Sequence, residues 1–131
     1  TDSETLFALA LSRGLQDDPV AAMRSMILEI ETIRRDHLID SPFRMSIAVT
    51  DGEVLWAARY SSDGDSPSLY WGRGLALTAS DGGTNPLPSD ATVVVSEPLD
   101  RDRYRWQAVP DASMLRVSEH AVEVIPLDLD T

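Results

Sequence analysis

The residues with most chemical potential stand at the start, in "TDSETLF". Thr1 offers a hydroxyl, and Asp2 and Glu4 offer carboxylates. A threonine at an amino terminus can act as a nucleophile, with its own α-amino group as base. That chemistry also needs a nearby lysine to tune the amine, and all 11 basic residues here are arginine. Thr1 and Glu4 have the spacing of a capping box, which explains both without further assumption. The threonine-nucleophile hydrolase stays as a rival, since Thr1→Ala should then abolish an activity that this chain shows alone. Asp2 has two readings. It closes the first turn of a helix, or it sits in the positive field of the helix dipole and holds an ammonium group on a ligand. On the residues alone the capping role is preferred.

Other candidates are weaker. "SSDGDS" sets Asp63 and Asp65 around a glycine, and two close carboxylates can ligate calcium. The twelve-residue loop with its final glutamate is missing, so a solvated turn is expected. "SDGGTN" reads as a flexible loop in a chain this acidic. His37 is placed near a helix end and His120 between strands, with neither H-x-x-x-H nor H-E-x-x-H spacing, so no metal site is expected. Ser96 and Glu97 lack the G-x-S-x-G elbow, and Pro98 after them ends a strand. No nucleophile, base and oxyanion hole come together, and no cofactor is implied.

The elements that must position these groups are legible from pattern. The chain has 131 residues, 43% apolar, enough for one domain with a core. It has no cysteine, which excludes disulfides and thiolate chemistry within the chain and fits a cytoplasmic protein. A formal charge of −11 repels phosphate backbones, so no nucleic-acid partner is expected. No apolar run reaches the roughly 18–20 residues of a membrane helix, so no membrane partner is expected either.

A first helix is predicted from Thr1 to Gly14, with Leu6, Phe7, Leu9, Ala10 and Leu11 as its apolar stripe. A second runs from the Asp18-Pro19 start to Arg35 or Asp36, with Val20, Met23, Ile27, Ile30 and Ile33 on its packed side. After Pro42 the period changes to two. "RMSIAVT" and "EVLWAARY" flank Asp51-Gly52, a type I′ hairpin signal. "SLYWG", a buried "ATVVVSE", "WQAV", "SMLRVS" and "AVEVIPL" follow as strands. Residues 73–90 read as mostly irregular, with a bend of strand at "LALTA". "PLDRDRYR" reads as a polar turn, and the acidic tail "DLDT" as frayed. The expected architecture is α+β: two helices, then about six mainly antiparallel strands.

These pieces, in this order, resemble the class II glutamine amidotransferases of the N-terminal-nucleophile group. "TDSETLF", "ALSRGLQDDP", "MSIAVTDGEVLWAARY", "SLYW", "VVVSEPLD" and "WQAVPDASMLRV" carry the resemblance from Thr1 to about Leu127. It is nearest the small single-domain branch that includes the ergothioneine-pathway γ-glutamyl amidases. The resemblance implies part of a four-layer αββα sandwich. It implies hydrolysis of the γ-amide of glutamine or a γ-glutamyl compound by an N-terminal cysteine. It gives Asp2 the α-ammonium of the substrate, a role that agrees with its dipole reading. Ser3 and Glu4 remain cap residues.

The departures from the family are large. The cysteine, the arginine for the substrate carboxylate and the asparagine-glycine oxyanion pair all normally precede the T-D-S-E helix. The resemblance therefore implies that residues 1–131 are the C-terminal portion of one domain about twice as long, inactive alone and partnered by the nucleophile-bearing half. The alternative is a catalytically inactive binding or assembly module of the same fold.

Overall fold

The computed structural model describes residues 1–74, 76–78, 83–100 and 105–129. Residues 75 and 79, the two ends of the expected strand bend at "LALTA", residues 80–82 of the glycine-rich loop, 101–104 of the expected polar turn and the last two residues of the tail lie outside that set.

Helix α1, Asp2–Ser12, begins where a cap was expected. The Thr1 hydroxyl accepts the Glu4 amide at 3.3 Å. The Glu4 carboxylate accepts from the Thr1 nitrogen at 2.7 Å, which completes the box. The chain then turns at Gly14, whose φ of +93° favours a residue without Cβ. Helix α2, Pro19–Asp36, starts on the Asp18 carboxylate, which accepts the Ala21 amide at 3.1 Å. Ala22, Met23, Met26 and Ile27 are its buried stripe. Ile33 was expected on that stripe, but it lies beyond the end of the core and is exposed. Arg13 and Glu29 join the two helices, Nε to Oε2 at 2.9 Å.

Nine strands follow among the described residues, in three antiparallel sheets. Sheet A holds β1 (Arg44–Thr50), β2 (Leu55–Ser61), β8 (Ser113–Val117) and β9 (Val122–Pro126), in the order β1-β2-β8-β9. Sheet B holds β3 (Tyr70–Arg73), β6 (Thr92–Val95) and β7 (Trp106–Ala108), in the order β6-β3-β7. A small ribbon pairs β4 (Ala76–Thr78) with β5 (Thr84–Pro86), so the stretch read as irregular contains two short strands. The β6 segment was expected to be buried. It is an edge strand and its residues are half-buried.

Side-chain alternation builds the layers. Met45, Ala58 and Met114 point from sheet A into a core shared with Ala10, Met23, Met26 and Ile27 of the helices. Ala57 and Leu115 point the other way, against Leu69, Val109, Trp71 and Val94 of the sheet B side. The result is helices on a sheet on a sheet, an α+β arrangement. Each fully buried aliphatic side chain contributes roughly 1.5–3 kcal/mol to holding these layers.

The β1–β2 hairpin forms, but not as a type I′ turn. Its loop spans residues 51–54, and of these only Gly52 has positive φ, at +96°. The Asp51 carboxylate closes it by accepting the Glu53 and Val54 amides, each at 2.9 Å.

Candidate functional site at the start of helix α1

Asp2 occupies the first helical position of α1, beside the positive end of the helix dipole. Its side chain is exposed, and it makes no hydrogen bond or ion pair among the described residues. The capping work that residue types alone assigned to it is done by Thr1 and Glu4. That leaves the Asp2 carboxylate available to a cation from outside. Thr1, by contrast, is committed. Its hydroxyl accepts the Glu4 amide and lies 3.2 Å from Glu4 Oε2.

The residues after Asp2 lead into a groove between α1 and strand β1. Ser3, Leu6 and Phe7 face Ser46, Ile47 and Val49 across a cavity of about 290 Å³. A second cavity, of about 370 Å³, continues from Phe7 past Leu11 to Val49 and Trp56. Leu6 and Leu9 pack on the core, whereas Phe7 and Leu11 remain 49% and 39% exposed at the groove. The sequence pattern put all of these in one stripe. The signal that separates them is angular: Phe7 and Leu11, four apart, form a second row beside Leu6, Leu9 and Ala10.

The remaining candidates are scattered. Asp63 and Asp65 do not form a cation cradle. Arg44 Nη2 bridges both, at 2.6 Å and 3.3 Å, and Ser61 donates to Asp63. Those hydrogen bonds, from Arg44 first, hold the Asp63 carboxyl well below the usual carboxylate range. His37 caps the C-terminus of α2, and His120 is exposed between β8 and β9, 3.8 Å from Glu119. Ser96 and Glu97 are tied to Ser68, whose hydroxyl contacts the Ser96 carbonyl at 2.9 Å and the Glu97 carboxylate. No group of three or more metal-ligating side chains occurs among the described residues.

Sequence reasoning passed over Arg59. It is half-buried on β2 and donates to the Val109 and Ser66 carbonyls, so it fastens the two sheets together and does not face the α1 groove.

No protein-family model matches the chain. A probable glutamine amidotransferase of Saccharomyces cerevisiae, DUG3, is 30% identical over 152 residues, covering 97% of this chain and 43% of the yeast protein. A solved glutamine aminotransferase class-II domain protein from Silicibacter pomeroyi is 36% identical and superposes with a TM-score of 0.75. That match covers 96% of this chain and 51% of the other. The chain thus spans about half the length of these relatives. Nearly all of it is matched in both sequence and fold, and with its two helices followed by antiparallel strands the chain resembles the class II glutamine amidotransferases.

Proposed function

We propose that this chain is the substrate-gripping part of an amidotransferase domain that hydrolyses the γ-amide of glutamine or of a γ-glutamyl compound. The observation that carries the reading is the exposed, unpartnered carboxylate of Asp2 at the N-terminus of α1. Such a group suits the α-ammonium of an amino-acid substrate, through a charge-assisted hydrogen bond.

The chain contains no cysteine, so the nucleophile belongs to polypeptide outside it. In the complete domain the cysteine thiol gives its proton to its own α-amino group, and the sulfur attacks the γ-carbonyl carbon. The tetrahedral intermediate expels ammonia or an amine, which carries off that proton. A γ-glutamyl thioester is left. Water cleaves it, releasing the γ-carboxylate and restoring the thiol. Asp2 takes no proton in this sequence. It fixes the amino-acid end of the substrate so that the γ-carbon meets the sulfur.

In this reading residues 1–131 belong to one four-layer αββα domain, whose remaining half supplies the nucleophile. The chain alone is inactive. Among the described residues no helix is long and apolar enough to cross a membrane, and we place the complete enzyme in the cytoplasm. The test is glutamate release from glutamine and from γ-glutamyl amides, with the chain alone and with a cysteine-bearing class II half. Activity only in the combination supports the reading. A folded combination that releases no glutamate from any of them leaves the chain as a binding module.

A further inference from the structure

We infer that Asp63-Gly64 is a latent modification site, where conversion to isoaspartate through a succinimide is armed by the free Gly64 amide and held back by Arg44.

Three Asp-Gly pairs occur in the chain, at 51-52, 63-64 and 81-82. The last lies outside the described residues. Aspartate before glycine closes on itself readily, because no Cβ on the next residue hinders that residue's amide. The glycine nitrogen attacks Cγ of the aspartic acid. The N–Cγ bond forms, the Cγ–OH bond breaks, and the hydroxyl leaves as water with the amide proton. A second water then opens the ring. Opening at Cγ restores aspartate. Opening at the original carbonyl carbon leaves the chain running through Cγ, which is isoaspartate. Water is the sole co-reactant. The step needs an uncommitted amide and a protonated carboxyl, since a carboxylate has no hydroxyl to release.

The two described pairs meet these needs differently. In each the side chain folds back over the glycine. Asp51 accepts the Glu53 amide at 2.9 Å, and Asp63 accepts the Asp65 amide at 3.2 Å. Both glycines are exposed. At 51-52 the attacking group is engaged, because Gly52 N donates to Thr50 Oγ1 at 3.0 Å. Gly64 N has no hydrogen-bond partner among the described residues. The nucleophile at 63-64 is therefore free in the folded chain.

The other reactant is what restrains 63-64. Arg44, at the start of β1, grips both carboxylate oxygens, with Nη2 at 2.6 Å from Oδ2 and Nε at 3.4 Å from Oδ1. Ser61 donates to Oδ1 as well. Asp65, 3.3 Å from the same guanidinium, is the other charged group at this point. These donors keep Asp63 ionised, so its protonated, reactive form is scarce. The restraint is a surface contact, with the Arg44 and Asp63 side chains 44% and 37% exposed. Such a pair opens to water readily. Isomerisation moves the carboxylate onto Cα and lengthens the main chain by one carbon, so Arg44 loses the group it holds.

Peptide mapping after storage tests this. The 131-residue chain and its variants are kept folded for weeks at neutral pH and physiological temperature, beside urea-unfolded wild type. Isoaspartate at each pair is read by electron-transfer fragmentation, and by methyl transfer to the separated peptides with purified isoaspartyl methyltransferase. Folded wild type should modify Asp63 at least about tenfold more slowly than the unfolded chain, and Arg44→Gln should recover about tenfold, because each unit of carboxyl pKa regained raises the protonated fraction tenfold. Arg44→Lys, which keeps the charge without the two-pronged grip, should fall between wild type and Arg44→Gln. Asp51 should stay slow in every folded sample. Gly64→Ala added to Arg44→Gln should cut modification at Asp63 by at least about tenfold, since the new Cβ crowds the attacking amide. Circular dichroism checks that each variant keeps the fold. Equal modification of Asp63 in wild type and both Arg44 variants would overturn the inference. So would a rise at Asp51 that matches the rise at Asp63, or no loss on adding Gly64→Ala.

Discussion

The Tyr60 hydroxyl on β2 donates to Oε1 of Glu31 on α2 at 3.0 Å, while the other Glu31 oxygen accepts from Arg34 at 2.6 Å. Arg34 also reaches the Ser41 carbonyl. One carboxylate thus ties the helix layer, the loop after it and sheet A together. Partial burial and the neighbouring carboxylate push the Tyr60 phenol up to about 12. Its neutral form is the one the fold favours. Stability from this group is therefore present below the ordinary tyrosine value of about 10 and is lost as pH rises from there towards 12. Tyr60→Phe should destabilise by about 1 kcal/mol at neutral pH, measured by urea unfolding. The difference from wild type should shrink in strong alkali. A constant difference would mean that the hydroxyl acts by packing only.

Asp63 gives the opposite sign. Its folded-state pKa is depressed, chiefly by the Arg44 hydrogen bond and then by Ser61. Its contribution is complete above the ordinary aspartate value of about 4 and disappears as pH falls through the lower folded value. Asp63→Asn should be less stable than wild type at pH 7, and the gap should narrow as pH falls below about 4 and close only as it passes the depressed folded value. Urea midpoints across that range decide it. Parallel midpoints at all pH values would show that the Arg44 pairing is only a surface contact.

Gly52 isolates a backbone effect. Its φ is +96°, and a Cβ added there would meet nothing within 4 Å. Any loss in Gly52→Ala is therefore conformational and not steric crowding. The expected loss is on the order of 1–2 kcal/mol, with Gly52→Asn losing less, because asparagine tolerates this region better. Equal losses for the two variants would point to the Asp51 carboxylate, and not the backbone of residue 52, as what fixes the turn.

Local chemistry made the helices and the hairpin legible. Thr1 with Glu4, and Asp18 with Pro19, mark helix starts through groups that act within one turn, and the structure begins both helices there. The Asp51-Gly52 pair marked a reversal correctly. Its turn type escaped because Asp51 closes the loop with its side chain and not with a positive φ. Sheet order was not legible. Strand β2 pairs with β8 across more than fifty residues, a partnership that no window of sequence contains. The same reason hid the exposure of Phe7. Its place in an apolar stripe is local, but the edge of β1 that leaves it uncovered is set by topology. Asp2 was legible as a residue. That its carboxylate is spared the capping role is a structural fact, because it depends on Thr1 and Glu4 closing on each other.

That spared carboxylate gives the sharpest test of the proposed activity. If Asp2 holds the α-ammonium of the substrate, its charge matters only for substrates that carry one. In the complete domain, Asp2→Asn should lower kcat/KM for glutamine by about 10- to 100-fold, the worth of one hydrogen bond to a charged group. Most of that loss should appear in KM, since the contact is made in the ground state as well as the transition state. Glutaramic acid, which is glutamine without its α-amino group, should be a poor substrate for wild type and no poorer for the variant. Glu4→Gln serves as control. It loosens the capping box and the start of α1, so it should affect both substrates alike. If Asp2→Asn also penalises both substrates equally, the residue supports the helix and does not grip the substrate, and the ammonium partner must be sought elsewhere.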